Sequence, residues 1–470
     1  MTTKKILAFA IGPIGAAILS FITLPIITWY FTQEDVGRLS MLTIAVSFST
    51  LLFPLGLDQA YVREFHESTN KAKLFKTVVV PGLALLILTL IILLNANNFI
   101  SENLFDVSDF NLSFLVMIAL VSDFLSRFFS LILRMNEKGM AYSLSQLFPK
   151  LLLFFIICCY VILGVKRNLD NLVIAIVTSM LSVSLILAWS TRAEWGKALK
   201  EKINISYFYS LLKFGFPLIL GGLAFWGLTA TDKVLLKKLS SFDEVGLYSV
   251  SVSFAAAASI FQSVFSTVWA PTVYKWAASG EGLENIQKVI RFVLMAIIVV
   301  FALGALFSWV IIYILPNDYA QVQWVLIPCL AYPLFYTLSE TTVVGLGITR
   351  RSGLSLLAAF LAFLINIVGN WYFIPMLGAK GAAISTCIAF WFFFFFRTEF
   401  AIYAWKPINR SLLYSYTIAL LLLAIWSCLL AQRNLIFHYA IWLIVLLSPI
   451  FIFKQEIGLV WSRCLKFKAK

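Results

Sequence analysis

Histidine is almost missing from this chain, charge is scarce, and cysteine never pairs at a motif spacing. The two histidines, His66 and His438, stand near the ends of apolar runs. Five of the six cysteines (Cys158, Cys159, Cys329, Cys387 and Cys428) fall inside such runs, Cys464 falls in a basic tail, and no CxxC occurs. These absences exclude a disulfide framework and a Cys/His zinc site. A Gly-rich phosphate loop, a Ser/His/Asp grouping and a metal cluster are also missing, so no catalytic constellation can be read. Charged residues make up 12% of the chain and hydrophobic ones 61%, where soluble domains carry about 25% charge. A soluble fold could not cover that much apolar surface.

What is present is a series of long apolar segments. A helix needs about 20 mostly apolar residues to cross a bilayer. Segments of that kind fill 6–31, 39–62, 74–95, 112–133, 141–164, 171–190, 212–236, 246–270, 289–315, 322–347, 353–376, 381–404, 411–431 and 435–453. The expected fold class is an all-α polytopic membrane protein with about 14 transmembrane helices. The run after Lys4 and Lys5 is too long for a signal-peptide core and reads as a retained first helix. Connections between runs are short and leave no room for an extramembrane domain.

Lysine and arginine are sorted by side. Assigning alternate connections to two sides places 26 on one and 8 on the other. The positive-inside rule then puts both termini in the cytoplasm, as an even span count requires. The net charge of +14 therefore reflects topology and contact with anionic headgroups, and needs no nucleic-acid partner. The tail 455–470, with Trp461, Leu465 and Phe467 among basic residues, is expected to lie along the cytoplasmic surface.

The longest connection, 191–211, is basic and divides a six-helix lobe over 1–190 from a second over 212–405. Helices over 406–454 are an appendix. A repeat supports the division: Glu34-Asp35-Val36-Gly37-x-x-Ser40 recurs as Asp243-Glu244-Val245-Gly246-x-x-Ser249, each read as the loop after the first span of its half. Pro13 and Pro217 also share the first helix of each half. Six spans per half give the copies one orientation, hence parallel repeats about an axis along the membrane normal. Ten of the thirteen prolines lie in spans, where they bend helices permanently or mark bends that open a pathway.

Ionisable groups inside spans cost several kcal/mol unless paired or hydrated, so each is a functional candidate. Asp123, Arg127, Ser130 and Arg134 follow helical spacing along one face of span 4, with Asp123 roughly 17 Å deep. The bland alternative is a self-neutralising Asp123–Arg127 pair. In span 5, Ser143, Gln146 and Lys150 share a face, and Lys150 either snorkels or faces an aqueous cavity. Asp58 and Arg63 close span 2, as an anchoring pair or as part of a site. Asp232-Lys233 lies near the outer end of span 7 and Glu340 in span 10. Asn366 and Asn370 stand one turn apart on span 11, a spacing that also bridges helices. The cationic surplus sits in the first half and would attract a phosphate or pyrophosphate.

Several stretches together resemble a known family. They are Phe31-Thr32-Gln33-Glu34-Asp35-Val36-Gly37, Gly56-Leu57-Asp58-Gln59-Ala60-Tyr61-Val62-Arg63, Phe214-Gly215-Phe216-Pro217, Asp232-Lys233, Glu244-Val245-Gly246-Leu247-Tyr248-Ser249-Val250, and Asn366-x-x-x-Asn370 with Pro375-x-x-Gly378-x-x-Gly381-Ala382-Ala383. In order and over about 1–405, the chain resembles the Wzx-like O-antigen and polysaccharide flippases. These share a superfamily with lipid II flippases and multidrug and toxin extrusion exporters. The resemblance implies two six-helix lobes around a central cavity and an undecaprenyl-pyrophosphate-linked oligosaccharide as cargo, moved to the periplasmic leaflet of the bacterial inner membrane. Many relatives carry Asp-Arg where this chain has Asp232-Lys233, which removes a bidentate guanidinium.

The expected function is thus a flippase, not an enzyme, working by alternating access without a cofactor. Arg127, Lys150, Arg63, Lys233, Asn366 and Asn370 are the candidate substrate-binding residues. Asp58, Asp123, Asp232 and Glu340 are the candidates for coupling to H+ or Na+. Partners would be membrane lipids, the lipid-linked oligosaccharide, and polysaccharide polymerase and chain-length proteins. The competing reading is a cation-coupled multidrug exporter, which calls for a cavity of acids and aromatics.

Overall fold

A computed structural model describes residues 3–96, 98–279, 282–454, 456 and 458. Most of the tail 455–470 therefore lies outside the described residues. All regular structure among the described residues is helical, and 14 helical spans are long and apolar enough to cross a membrane. This is the polytopic all-α class. Several ends fall within two residues of expectation, as in Ser352–Leu377, Ala379–Ala404 and Leu435–Ile452.

The chain divides into two compact units, 1–226 and 227–470. The first holds α1 (Thr3–Tyr30), α2 (Gln33–Leu52), α3 (Leu57–Glu64), α4 (Lys71–Leu94), α5 (Phe99–Phe105), α6 (Phe110–Met135), α7 (Gly139–Leu163), α8 (Leu169–Ser190), α9 (Arg192–Lys200) and the start of α10 (Ile205–Leu239). The second continues α10 and adds α11 (Phe242–Ala255), α12 (Ser259–Ser279), α13 (Gly282–Leu306), α14 (Ile311–Ile314), α15 (Val322–Cys329) and α16 (Ala331–Thr342). It ends with α17 (Val344–Ile348), α18 (Ser352–Leu377), α19 (Ala379–Ala404), α20 (Ser411–Leu430) and α21 (Leu435–Ile452). The boundary lies within α10, later than the 191–211 connection. That connection is itself largely helical.

In the first unit α1 packs along α7, and α6 packs against α2, α4 and α8. A Cβ on Gly12 would strike the backbone of Ser143, so glycine is what lets α1 and α7 approach this closely. The core between α4 and α6 is dry: Val78, Leu86, Val116 and Phe128 are fully buried. Leu88, Ile92 and Ile162 are instead more than half exposed, an outward apolar face that only lipid can cover. Several hydroxyls inside spans are satisfied locally, as where Thr77 donates to the Lys73 carbonyl at 2.8 Å and Ser40 to that of Val36 at 3.0 Å.

Two expectations need correction. Span 2 does not run to residue 62. Its ladder of hydrogen bonds ends at Pro54, which has no N–H to offer, and the chain turns through Leu55 and Gly56 at positive φ before α3 begins. Gly56 has φ +69°, and a Cβ there would collide with the backbone of Gly215, so the turn needs glycine twice over. The repeated acidic motifs are likewise first turns of helices, not loops. Thr32 caps α2 by accepting from the Asp35 N–H at 3.1 Å, and Ser241 caps α11 by accepting from that of Glu244 at 3.3 Å. Both copies keep the spacing in which a capping hydroxyl is followed three residues later by an acid. Glu244 also accepts the Ala379 N–H at 2.6 Å, at the start of α19.

The second unit is built on α19, which packs against α18, α16, α15 and α20. Tyr332, Phe390, Phe393 and Tyr336 form a run of ring contacts between α16 and α19, and Phe335 stacks on Phe394 beside them. Phe301 of α13 stacks on Trp442 of α21 with an interplanar angle of 6°, which ties an appended helix into this unit.

Candidate functional site

A cavity of about 520 Å³ opens within the first unit between α2, α3, α6, α7 and α8. Its polar lining gathers Asp58, Asp123, Arg127, Arg134, Gln146 and Lys150. Helical spacing on α6 brings Asp123, Arg127, Ser130 and Arg134 to one wall, as periodicity requires. On α7 the lining includes Ser145, Gln146, Pro149 and Lys150. Ser143 is not among them: it is buried where α7 meets Gly12 of α1.

The charges do not pair as sequence spacing suggests. Arg127 bypasses Asp123 and reaches Asp58 on α3, with Nη2 at 2.5 Å and Nε at 3.2 Å from the same carboxylate oxygen, Oδ2. Gln59 Nε2 donates to that oxygen at 3.0 Å. Asp123 accepts instead from the Thr50 hydroxyl of α2. The break after Pro54 makes this possible, because it carries α3 and Asp58 toward α6. Buried Tyr61 holds α3 in place through ring contacts with Phe65 and Phe75. Burial, with a smaller push from the negative charge of Glu194, raises its phenol well above the ordinary range, so it stays neutral.

Lys150 has no ion pair or hydrogen bond to the described residues, and its side chain is exposed to the cavity. Arg134 lines the same space. Two acids therefore face three cations, and one acid is already engaged by Arg127. The surplus that the sequence placed in the first half is gathered at one cavity. Arg63 stands apart: its guanidinium lies 4.5 Å from the Phe214 ring centre and 3.8 Å from Glu64, outside the cavity lining. No Asp58–Arg63 anchoring pair forms.

A different cluster occupies the second unit. Asp232, buried on α10, accepts four hydrogen bonds. Asn366 at 2.9 Å and Asn370 at 2.6 Å donate to Oδ1, while Tyr248 and Thr386, each at 2.6 Å, donate to Oδ2. Both asparagines are fully buried and bonded here, so they surround an acid and do not line an open cavity. Asn370 Oδ1 is left without a partner in that buried place. Among the described residues Lys233 makes no bond to its neighbour Asp232, since successive helix residues point about 100° apart. A carboxylate ringed by neutral amides and hydroxyls can hold a proton or a small hard cation. In the sequence Tyr248 stood only as part of the stretch Glu244–Val250, with no role given to it, and Thr386 was not singled out.

Glu340 is engaged elsewhere. Its carboxylate meets Arg397 of α19 at 2.8 Å, and Arg397 also donates to Ser339 at 2.7 Å and lies over Phe393. Arg397 lies inside α19, within the expected span 381–404.

A family model described as polysaccharide biosynthesis protein matches residues 2–276, more than half of the chain and all of the cavity. The chain belongs to the polysaccharide biosynthesis protein family. This family member shares its fold with a lipid II flippase, MurJ, in an inward closed conformation, at a TM-score of 0.70, 14% identity, and coverage of 96% of this chain and 99% of that one. An inward-facing multidrug resistance MATE family transporter of the MOP superfamily gives 0.59 at 14% identity, covering 86% and 95%. A mutant of the Vibrio cholerae MATE transporter VcmN gives 0.54 at 13%, covering 85% and 96%. No curated protein sequence matches the chain.

Proposed function

We propose that this polysaccharide biosynthesis protein is a flippase of the bacterial cytoplasmic membrane. Its cargo would be an oligosaccharide on undecaprenyl pyrophosphate, carried from the cytoplasmic to the periplasmic leaflet by alternating access. The observation that carries this reading is the membrane-depth cavity in which Lys150 is unpaired, Arg134 is near and Arg127 is held by a single carboxylate. Such a site favours a multiply charged anion, because each added negative charge meets a cation already desolvated. A pyrophosphate could take Lys150 directly and draw Arg127 from Asp58, while the isoprenoid stays in lipid. Asp232, with its four neutral donors, is the best-built group for coupling to H+ or Na+. Glu340 is already neutralised by Arg397.

The test is complementation in cells lacking the native gene. Lys150→Ala and Arg127→Ala are expected to cut surface polysaccharide at least about tenfold at equal protein level, with Lys150→Arg retaining most of it. Unchanged polysaccharide in both alanine variants would remove the binding role. Drug resistance on overexpression, without any effect on polysaccharide, would favour a multidrug exporter.

A further inference from the structure

The wall formed by α6 and α8 has two faces, and only one borders the cavity. On the other lies an apolar groove of about 360 Å³ between Met117, Val121 and Leu125 of α6 and Leu181, Leu185 and Ala188 of α8. Trp195 of the connecting helix α9 also lines it. The indole is fixed there, since its Nε1 donates to the Ala188 carbonyl at 2.7 Å. Beyond Trp195 the surface turns cationic. Following α8 past Leu185 and Ala188, the same face continues to Trp189, and Arg192 opens α9 just beyond. Arg192 is held by the Trp189 carbonyl at 2.9 Å and lies 4.5 Å over the Trp189 ring, with its guanidinium exposed. The nearest acid on α9, Glu194, is engaged by Lys138 at 3.4 Å, so it does not cancel Arg192.

We propose that this groove is a second lipid site, holding one acyl chain of an anionic phospholipid whose phosphate is met by Arg192. The occupant follows from the lining. A membrane-depth slot with almost no polar surface takes hydrocarbon, and a fixed tryptophan and arginine at its end match the ester and phosphate zone of a lipid. Charge asymmetry assigns this end to the cytoplasmic leaflet. The site differs from the cargo cavity because α6 and α8 stand between them. A chain seated here would stiffen the wall that presents Asp123 and Arg127 on its far side.

Native mass spectrometry of the full-length protein in detergent, titrated with phosphatidylglycerol and with phosphatidylcholine of matched chains, tests this. Wild type is expected to bind one phosphatidylglycerol in preference to phosphatidylcholine. Arg192→Ala, a surface change that leaves the groove intact, should weaken phosphatidylglycerol about fivefold and leave phosphatidylcholine as it was. Ala188→Phe, which fills the groove, should lose that lipid altogether. Equal affinity for the two lipids in wild type, or unchanged phosphatidylglycerol binding in Arg192→Ala, overturns the proposal. So does displacement of the bound lipid by undecaprenyl phosphate, which would make the groove part of the cargo path. Lys150→Ala should bind phosphatidylglycerol like wild type, so failure of the flippase reading leaves this result unaffected.

Discussion

Arg127 and Asp58 are joined across 69 positions of sequence by two hydrogen bonds to one carboxylate oxygen, while Asp123, one helical turn from Arg127, turns to Thr50. The arginine thereby links α6 to the short helix beyond the Pro54 break. A buried carboxylate and a partly open guanidinium have unequal needs: removing Arg127 strands Asp58, whereas removing Asp58 leaves a cation that the cavity can solvate.

That asymmetry gives the first prediction. Arg127→Met should lower the melting temperature in detergent more than Asp58→Asn does, and the double variant should recover part of the loss. The coupling energy from such a cycle should be about 1 kcal/mol, modest because the guanidinium side chain is 38% exposed. Strictly additive effects would show that the pair carries no interaction energy.

Asp232 supplies the second. Asp232→Asn keeps the shape but places an amide among donors, and Asp232→Ala leaves several buried donors unmet at about 1–3 kcal/mol each. Both variants should lose stability, the alanine one more. The asparagine variant should also lose any dependence of transport on a proton or sodium gradient in proteoliposomes. Transport that stays gradient-dependent in Asp232→Asn would take Asp232 out of coupling.

The third concerns the turn that positions Asp58. Gly56→Ala adds a methyl group at positive φ against the Gly215 backbone, and strain of this kind costs of order 1–3 kcal/mol. Yield of folded protein and its melting temperature should both fall, and Gly215→Ala should behave alike because it enters the same contact. A wild-type melting curve for both would show that the two segments can separate freely.

Span number, class and the cationic face of α6 were legible in sequence because length, apolarity and the 3.6-residue period are local properties. Partner choice was not. Helical spacing offered Arg127 the nearby Asp123, and only the Pro54 break, which redirects α3, reveals Asp58 as the partner. Asn366 and Asn370 were recognised as a pair one turn apart, but their common acceptor lies 134 and 138 positions away. Arg397 fell inside the expected span 381–404, but nothing local marked it as a partner. Its pairing with Glu340 needs α16 and α19 side by side.

The two similar helix starts do unequal work. Asp35 serves only its own end of the chain, bonded back to the Thr32 hydroxyl and facing Arg38. One more methylene in Glu244 lets that carboxylate seat the beginning of α19 as well. Shortening position 244 to aspartate would therefore unfasten a second helix. One of two similar local signals thus also works as a long-range clasp.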